Sequence, residues 1–200
     1  MSDWDSRYQT EEYVFGTEPN VFIARIIDQL PADGKALDLA TGEGRNGIFL
    51  AEHGFDVEGV DVSAVGLEKA DKLAREKAVA FKTRLEDITI MAMPDDYYAV
   101  ICSVFCHFVE PVRTQMMQKI VSALAPGGMF AGVFYHPNQI DFGTGGPKNP
   151  DMLATLEQLQ LAADGLEWLI AEHIEHELDE GSRHKGMSSV VYLLGRKPLV

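Results

Sequence analysis

Basic residues are scarce in this chain of 200 residues. It has 17 Lys and Arg against 31 Asp and Glu, which gives a formal net charge of −14 at pH 7. An acidic surface repels phosphate backbones, so we do not expect a nucleic acid as substrate. The one dense basic cluster, Arg183-His184-Lys185, is too small for a duplex footprint.

Long apolar runs and cysteines are also few. No apolar run reaches the roughly 18 residues of a membrane span, and the polar, acidic start is not typical of a signal peptide. The sequence therefore predicts a cytoplasmic protein without a membrane partner. Its two cysteines, Cys102 and Cys106, lie too far apart along one predicted strand for a disulfide, so we expect two buried thiols.

What the sequence does contain is an alternation of strands and helices. Predicted strands lie at 36–39, 56–60, 80–84, 99–105 and 129–136, and predicted helices at 20–30, 45–53, 63–78, from the fourth strand to 124, and at 151–163. A hairpin of 166–178 and 187–195 closes the chain. This order predicts an α/β fold with a mostly parallel sheet, helices on both faces and an antiparallel last strand. No linker divides the chain, so residues 1–200 are predicted to form one domain.

A glycine-rich turn follows the first predicted strand and opens a helix. Gly42 and Gly44 permit a tight turn and a close backbone approach to a ligand. With Gly47 they form G-x-G-x-x-G, and Asp61 ends the next strand 19 positions after Gly42, where a carboxylate can accept both hydroxyls of a ribose. This pattern also fits a dinucleotide site, so an NAD(P)-binding oxidoreductase is the main alternative.

Two further carboxylates argue against a dinucleotide. Asp38 precedes the glycines inside the strand, where it would repel a pyrophosphate but could pair with an amino group. Asp87 ends the third strand–helix unit, where it could accept from an adenine amino group. Three acidic residues at successive strand ends suit a ligand without phosphates, such as S-adenosylmethionine. The alternative for each Asp singly is a helix cap.

These motifs resemble the class I S-adenosylmethionine-dependent methyltransferases. The resemblance rests on residues 37–44, Gly59-Val60-Asp61-Val62-Ser63, Asp87 and Pro126-Gly127-Gly128, and it covers residues 36–136. It implies a single-domain Rossmann-like fold with seven strands and an antiparallel last strand. It also implies that the glycine loop and Asp38 hold the methionine part, Asp61 the ribose and Asp87 the adenine.

The expected cofactor is therefore S-adenosyl-L-methionine, and the product S-adenosyl-L-homocysteine. The predicted cofactor-binding residues are Asp38, Ala40, Gly42, Gly44, Arg45, Asp61, Val62, Glu86, Asp87 and Ser103. Within the class the chain is most similar to the tellurite-resistance (TehB-type) methyltransferases, through Trp4-Asp5-x-Arg7-Tyr8, Gly44-Arg45-Asn46 and a closing hairpin with a His/Arg cluster. The sequence departs from that pattern at Thr41, where many relatives carry Cys, and at the Gly-rich loop 137–150.

The resemblance implies methyl transfer to a small molecule, such as a tellurium or selenium oxyanion or a thiol. A soft anionic acceptor needs no strong base, whereas an oxygen or nitrogen acceptor usually needs one. Candidate acceptor-side residues are His107, His136, Arg183 and His184, at predicted strand ends and in the hairpin connection 179–186. Their alternative is a role as polar loop residues.

The segment 1–16 is predicted to fold over the cofactor as a lid. Tyr8, Tyr13 and Phe15 could face the sulfonium, and Arg7 could hold an anionic group, although such aromatics often only pack. His173 and His176 point to opposite faces of a strand, so no metal site is predicted. The sequence leaves open the acceptor, a monomer or homodimer, and a non-catalytic S-adenosylmethionine-binding protein.

Overall fold

The structure, a computed structural model, describes residues 3–199, so Met1 and Ser2 of the predicted lid lie outside the described residues. Seven strands form one sheet. They are β1 (Gly34–Leu39), β2 (Phe55–Asp61), β3 (Phe81–Leu85), β4 (Tyr98–Val104), β5 (Leu124–Tyr135), β6 (Glu167–Glu180) and β7 (His184–Arg196).

Seven α-helices accompany these strands in the described part of the chain. They are α1 (Asp3–Tyr8), α2 (Val21–Ile26), α3 (Arg45–Glu52), α4 (Ala64–Glu76), α5 (Val112–Ala123), α6 (Gln139–Phe142) and α7 (Leu156–Ala162). Side-chain caps fix several starts. Ser63 Oγ accepts the Gly66 N–H at the start of α4, and Thr155 and Gln158 form a capping box at α7.

The sheet has the order β3-β2-β1-β4-β5-β7-β6. Strands β1 to β5 pair in parallel, whereas β7 pairs antiparallel to both β5 and β6. This confirms the predicted seven-stranded sheet with an antiparallel last strand. The strand order reverses between β1 and β4, and a ligand crevice forms at such a point, outside the carboxyl ends of the strands.

Both faces of the sheet are covered. One cluster of buried apolar side chains includes Leu37, Ile101 and Phe130, and α5 and α7 pack on it. The other includes Val57, Val100 and Ala131, with Phe22 and Ile26 of α2. The buried strands therefore carry apolar residues on both sides, as expected for a parallel sheet between two helical layers.

The structure corrects several predicted boundaries. β6 runs to Glu180 and β7 starts at His184, so the connection is only 181–183 and not 179–186. The strands extend because Glu180 and His184 are buried and pair with each other across the hairpin. β5 begins at Leu124, before the predicted turn at Pro126, because Tyr98 pairs with Leu124 beyond an irregularity in the ladder.

Two helix predictions also change. The predicted helix 151–163 is a 3-10 helix, Pro150–Met152, followed by α7, because extended Leu153 and Thr155 interrupt it. Residues 27–29 are likewise a 3-10 helix after α2. Within residues 3–199, no helix has the length and apolarity to cross a bilayer.

Candidate functional site

The crevice between β1 and β4 is lined by unusual backbone. Ala40 follows β1 with a φ of 55°, and Phe105 follows β4 with the same value. Residues other than glycine rarely adopt this conformation, and for a bulky side chain it stores strain. Leu39 and Ser103 are register partners, so the two strained turns lie side by side at the carboxyl edge.

Asp38, in β1, is hydrogen-bonded to residues on both sides of the glycine turn. Its carboxylate is almost fully buried, and Oδ2 accepts hydrogen bonds from Thr41 Oγ1 at 2.5 Å and Gly47 N at 2.9 Å. Burial raises the pKa of Asp38 to about 6, although these two hydrogen bonds act against that rise. Asp38 therefore fixes the loop, and contact of its side chain with an amino group stays a prediction.

Asp61, the last residue of β2, joins the glycine loop to the start of α4. Its Oδ2 accepts the Gly42 N–H at 2.8 Å, and its Oδ1 accepts the Ser63 N–H at 2.9 Å. Burial raises the pKa of Asp61, and these backbone donors lower it. Gly42 and Gly44 have φ values of 57° and 91°, so the turn uses the freedom of both glycines.

Helix α1 lies over the glycine loop. A β-carbon on Gly42 would be 2.6 Å from Tyr8 Oη, and one on Gly66 would be 3.0 Å from the Tyr8 ring. Asp5 Oδ1 accepts the Ser63 hydroxyl at 2.7 Å, which ties α1 to α4. Burial and the nearby Asp61 raise the pKa of Tyr8, so its hydroxyl stays protonated.

The rest of the predicted lid is held by two charged residues. Glu43 Oε2 accepts the Val14 N–H at 2.8 Å, and Glu43 Oε1 forms an ion pair with Lys69. Lys69 Nζ in turn donates to the carbonyls of Glu12 at 2.6 Å and Thr10 at 3.1 Å. The segment is therefore docked on the glycine loop and on α4 in this structure.

Arg45 lies in a buried polar network beside the loop. Its guanidinium pairs with Glu180 at 2.7 Å and donates to the Phe15 carbonyl at 3.3 Å. Glu180 also accepts from Asn20 Nδ2 at 2.7 Å, and Asn20 N donates to Asn46 Oδ1. Arg45 thus connects α3, the lid and the end of β6, and cofactor contact by Arg45 remains a prediction.

The remaining predicted cofactor residues lie along the same edge. Val62 is 40% exposed directly after Asp61, and Ser103 is buried near the end of β4. Glu86 donates its N–H to the Asp61 carbonyl at 3.0 Å. Asp87 Oδ1 accepts from the N–H and hydroxyl of Thr89, which lowers the pKa of Asp87, so this carboxylate does cap a turn.

A cluster of aromatic and histidine rings lies beside this loop, and we call it the ring cluster. Phe105 stacks on Tyr135 with ring centroids 4.5 Å apart and meets His184 edge to face at 4.5 Å. Phe15 of the lid contacts His184 at 4.6 Å, and His107 stacks on Tyr135 at 5.5 Å. The rings come from the lid, from the ends of β4 and β5, and from the start of β7.

The ring cluster contains polar atoms without hydrogen bonds. His184 Nδ1 and His107 Nε2 are buried without a partner, and Tyr135 Oη, near the Ser188 hydroxyl, makes no hydrogen bond of normal geometry. Burial lowers the pKa of both histidines to about 3, so both imidazoles are neutral. Most buried polar groups in proteins are paired, so three unpaired polar atoms in one cluster are unusual.

The other predicted acceptor and lid residues lie elsewhere. His136 stacks on His173 at 3.7 Å, away from the ring cluster. Arg183 and Lys185 are exposed, and Lys185 pairs with Asp179 at 3.3 Å. His184 turns inward as a neutral ring, so only Arg183 and Lys185 of this basic run face outward, and contact of Arg183 with an acceptor stays a prediction. Arg7 is exposed against Trp4, and Tyr13 Oη donates to the Lys69 carbonyl.

Sequence analysis missed several residues of this site. Tyr135, Phe105, Glu180, Glu43 and Lys69 were not singled out as functional. Tyr135 and Phe105 looked like ordinary strand residues, and their placement at the carboxyl ends of β5 and β4 was the only signal. Glu43 and Glu180 pair with Lys69 and Arg45, far apart in the sequence, and only the fold brings them together.

Comparisons with known proteins agree with this architecture. A family described as methyltransferase domain matches residues 36–128. The sarcosine/dimethylglycine N-methyltransferase of Aphanothece halophytica is 30% identical over 164 residues, which is 79% of this chain and 58% of that protein. The chain thus spans less than two thirds of that relative's length.

Solved structures share the fold. TehB of Haemophilus influenzae superposes with a TM-score of 0.72 at 17% identity, covering 97% of this chain and 65% of TehB. An S-adenosylmethionine-dependent methyltransferase of Methanosarcina mazei gives 0.70 at 15% identity, covering 88% and 98%. The matched region is a methyltransferase domain, and the fold is shared with solved S-adenosylmethionine-dependent methyltransferases.

Proposed function

We propose that this chain transfers a methyl group from S-adenosylmethionine to a small molecule, with the cofactor held between the glycine loop and Asp61. The observation that carries the proposal is the buried Asp61 carboxylate at the crevice, bonded to Gly42 N beneath the Tyr8 hydroxyl. The Tyr8 hydroxyl occupies the place that a side chain on Gly42 would need, so a nucleoside ligand at this turn would lie against Tyr8.

The charges around the loop favour a cationic ligand. Asp38, Asp61 and Glu43 are all buried within this turn, whereas Arg45 and Lys69 are engaged with Glu180 and Glu43. A pyrophosphate would be repelled here, and a sulfonium with an amino group would be attracted. This argues for S-adenosylmethionine and against the NAD(P) oxidoreductase alternative.

Different residues at the crevice would bind different parts of S-adenosylmethionine. Asp61 would bind the ribose hydroxyls, and the glycine loop would bind the methionine part. Glu86 and Asp87 would bind the adenine. The cofactor supplies a methyl group on a positively charged sulfur. The chain would position the acceptor and exclude water through Tyr8 and the docked lid, and both effects favour methyl transfer from a charged sulfur.

The acceptor side lies at the ring cluster, next to Phe15 of the lid. His107 and His184 are the predicted acceptor-side residues that reach it, whereas His136 and Arg183 do not. The small-molecule class also agrees with the name of the Aphanothece relative. A tellurium or selenium oxyanion, as in TehB-type enzymes, would find no free cation among the ring-cluster residues.

Thermal denaturation with ligands tests the proposal. S-adenosylhomocysteine should raise the melting temperature of the wild-type protein, and NAD should not, because a ligand that binds only the native state stabilises it. Asp61→Ala should weaken binding by about 1.5–3 kcal/mol, the loss of hydrogen bonds to a charged group.

Asp56→Ala is the matched control. Asp56 lies on the same strand at its other end, where it pairs with exposed Lys35 and Lys82, so its removal should leave the shift unchanged. Stabilisation by NAD alone would contradict the proposal. Stabilisation by S-adenosylhomocysteine without methyl transfer to any acceptor would instead favour a non-catalytic binding protein.

A further inference from the structure

The ring cluster has features that the cofactor site does not explain. Phe105 is strained, with its positive φ, and this turn directs its ring between Tyr135 and His184. Tyr135 is fully buried and His184 is 8% exposed, yet Tyr135 Oη and His184 Nδ1 lack hydrogen bonds of normal geometry. Strain and unpaired polar groups are tolerated where a ligand uses them.

The walls of the ring cluster carry no free charge. Arg45 and Arg113 lie beside it and are paired with Glu180 and Glu110. The Arg183 and Lys185 side chains are exposed outside. Burial and the nearby Arg45 keep His184 unprotonated at neutral pH. An anion entering here would lose its hydration without gaining a counterion. The surface suits a neutral molecule.

We propose that the ring cluster binds the methyl acceptor as an uncharged amine, oriented by hydrogen bonds to His184 Nδ1, His107 Nε2 and Tyr135 Oη. The inference rests on the proposed function and names its substrate class. The aromatic faces of Phe15, Phe105 and Tyr135 attract the positive charge that develops on the nitrogen.

Methyl transfer to an uncharged amine is balanced in bonds and in charge. The amine lone pair forms the new bond to the methyl carbon, and the carbon–sulfur bond breaks with its electron pair left on sulfur. The positive charge passes from sulfur to the methylated nitrogen, whose proton is released to water after the product leaves. A nitrogen acceptor usually needs a base because it must first lose a proton, but an amine bound uncharged already has a free lone pair. The step then needs no strong base, in keeping with His107 and His184, whose pKa values of about 3 make them poor proton carriers.

A glycine-rich roof covers the ring cluster. A β-carbon on Gly145 would lie 3.1 Å from Tyr135 Oη, and one on Gly146 would lie 2.8 Å from the Tyr135 ring. The roof belongs to the loop 137–150 and is anchored by Thr144 Oγ1, which donates to the Met187 carbonyl. An acceptor that enters from this side would have to displace this short segment.

Three probes that differ mainly in charge test the proposal. Aniline, benzylamine and benzoate are, at neutral pH, an uncharged amine, a cation and an anion on the same ring, and tellurite serves as a soft anion. Binding is measured by saturation-transfer NMR on the protein saturated with S-adenosylhomocysteine. Aniline should bind best at neutral pH, and benzylamine binding should increase with pH as its uncharged fraction grows.

Tyr135→Phe tests the hydrogen bond from Tyr135 to the acceptor most directly. It deletes one buried oxygen, so aniline affinity should fall by about tenfold, the loss of about one hydrogen bond. The melting temperature should change little, because this hydroxyl makes no hydrogen bond of normal geometry in the folded state. Tyr192→Phe is the matched control: Tyr192 Oη bonds His176 Nε2 at 2.7 Å, so this variant should lose stability and keep aniline affinity.

Other outcomes overturn the inference. Preferential binding of benzoate or tellurite would show an anion site, and no binding of aniline, or binding that Tyr135→Phe leaves intact, would remove the acceptor from the ring cluster. A parallel calorimetric titration with S-adenosylhomocysteine separates this result from the function itself. If that ligand binds and aniline does not, the acceptor class is wrong and the cofactor assignment stands.

Discussion

At the scale of single residues, the neutral buried histidines make stability depend on pH. The pKa of His184 is about 3 in the folded chain, against 6.5 for an ordinary histidine. Between these values the unfolded chain binds more protons, so the folded state loses stability as the pH falls through this window. The raised pKa of Asp38 acts in the opposite direction, and it does so equally in wild type and in a His184 variant.

We therefore predict that His184→Gln is less sensitive to acid than the wild-type protein. Between about pH 7 and about pH 5, the wild type should lose roughly 1–2 kcal/mol more stability than the variant. Urea unfolding at the two pH values measures the difference. His53→Gln, which removes an exposed histidine, should behave like the wild type. An equal acid sensitivity in His184→Gln would mean that His184 is not held neutral by burial.

The sequence predicted the cofactor loop better than the acceptor side at this scale. Gly42, Gly44 and Asp61 lie in a contiguous strand–turn–helix pattern, and local geometry determines where they meet. His184 was expected in a charged loop, since its neighbours Arg183 and Lys185 are basic. It is buried because β7 begins three residues earlier than predicted, and its ring packs on Phe15 and Phe105, contacts that no local pattern encodes.

At the scale of elements, Lys69 on α4 holds the lid. It pairs with buried Glu43 and donates to the carbonyls of Glu12 and Thr10. Lys69→Met should free residues 4–15 and leave Glu43 without its cation, at a cost of roughly 3 kcal/mol. Trypsin should then cut faster after Arg7, and S-adenosylhomocysteine should slow that cut in the wild-type protein.

Lys72→Met is the control on the same helix. Lys72 is exposed and makes only a 3.8 Å pair with Glu76, so its loss should change neither stability nor cleavage noticeably. If Lys69→Met is cut after Arg7 at the wild-type rate, the lid is not held by this lysine. Equal cleavage of the wild-type protein with and without ligand would show that segment 4–15 is not a cofactor lid.

Gly66 in the first turn of α4 gives a second test of the lid. Alanine in place of a helical glycine normally stabilises by about 0.5–1 kcal/mol. Here the added β-carbon would lie 3.0 Å from both the Gly42 carbonyl oxygen and the Tyr8 ring. We expect Gly66→Ala to show no gain in melting temperature and a weaker affinity for S-adenosylhomocysteine by calorimetry. A stabilised variant with unchanged affinity would contradict the close docking of α1.

At the scale of the whole molecule, the alternation of strands and helices was sufficient to predict the sheet. Most of the parallel strands are short apolar runs that alternate with helices, so their order and hand are strongly constrained. The ends of β6 and β7 were harder to predict, because β6 is an edge strand with mixed polarity and its length depends on pairing with β7. The lid was predicted from its aromatics, but the charged network that docks it joins residues at least 26 positions apart.

The central claim is that S-adenosylmethionine lies between the glycine loop and Asp61, with its methyl group directed at the ring cluster. A crystal structure of the complex with S-adenosylhomocysteine tests it most directly. The claim predicts ribose hydroxyls within hydrogen-bond distance of Asp61, and the ligand sulfur facing Phe105 and His184. Density for the ligand at another place, or a sulfur directed away from the ring cluster, would contradict it.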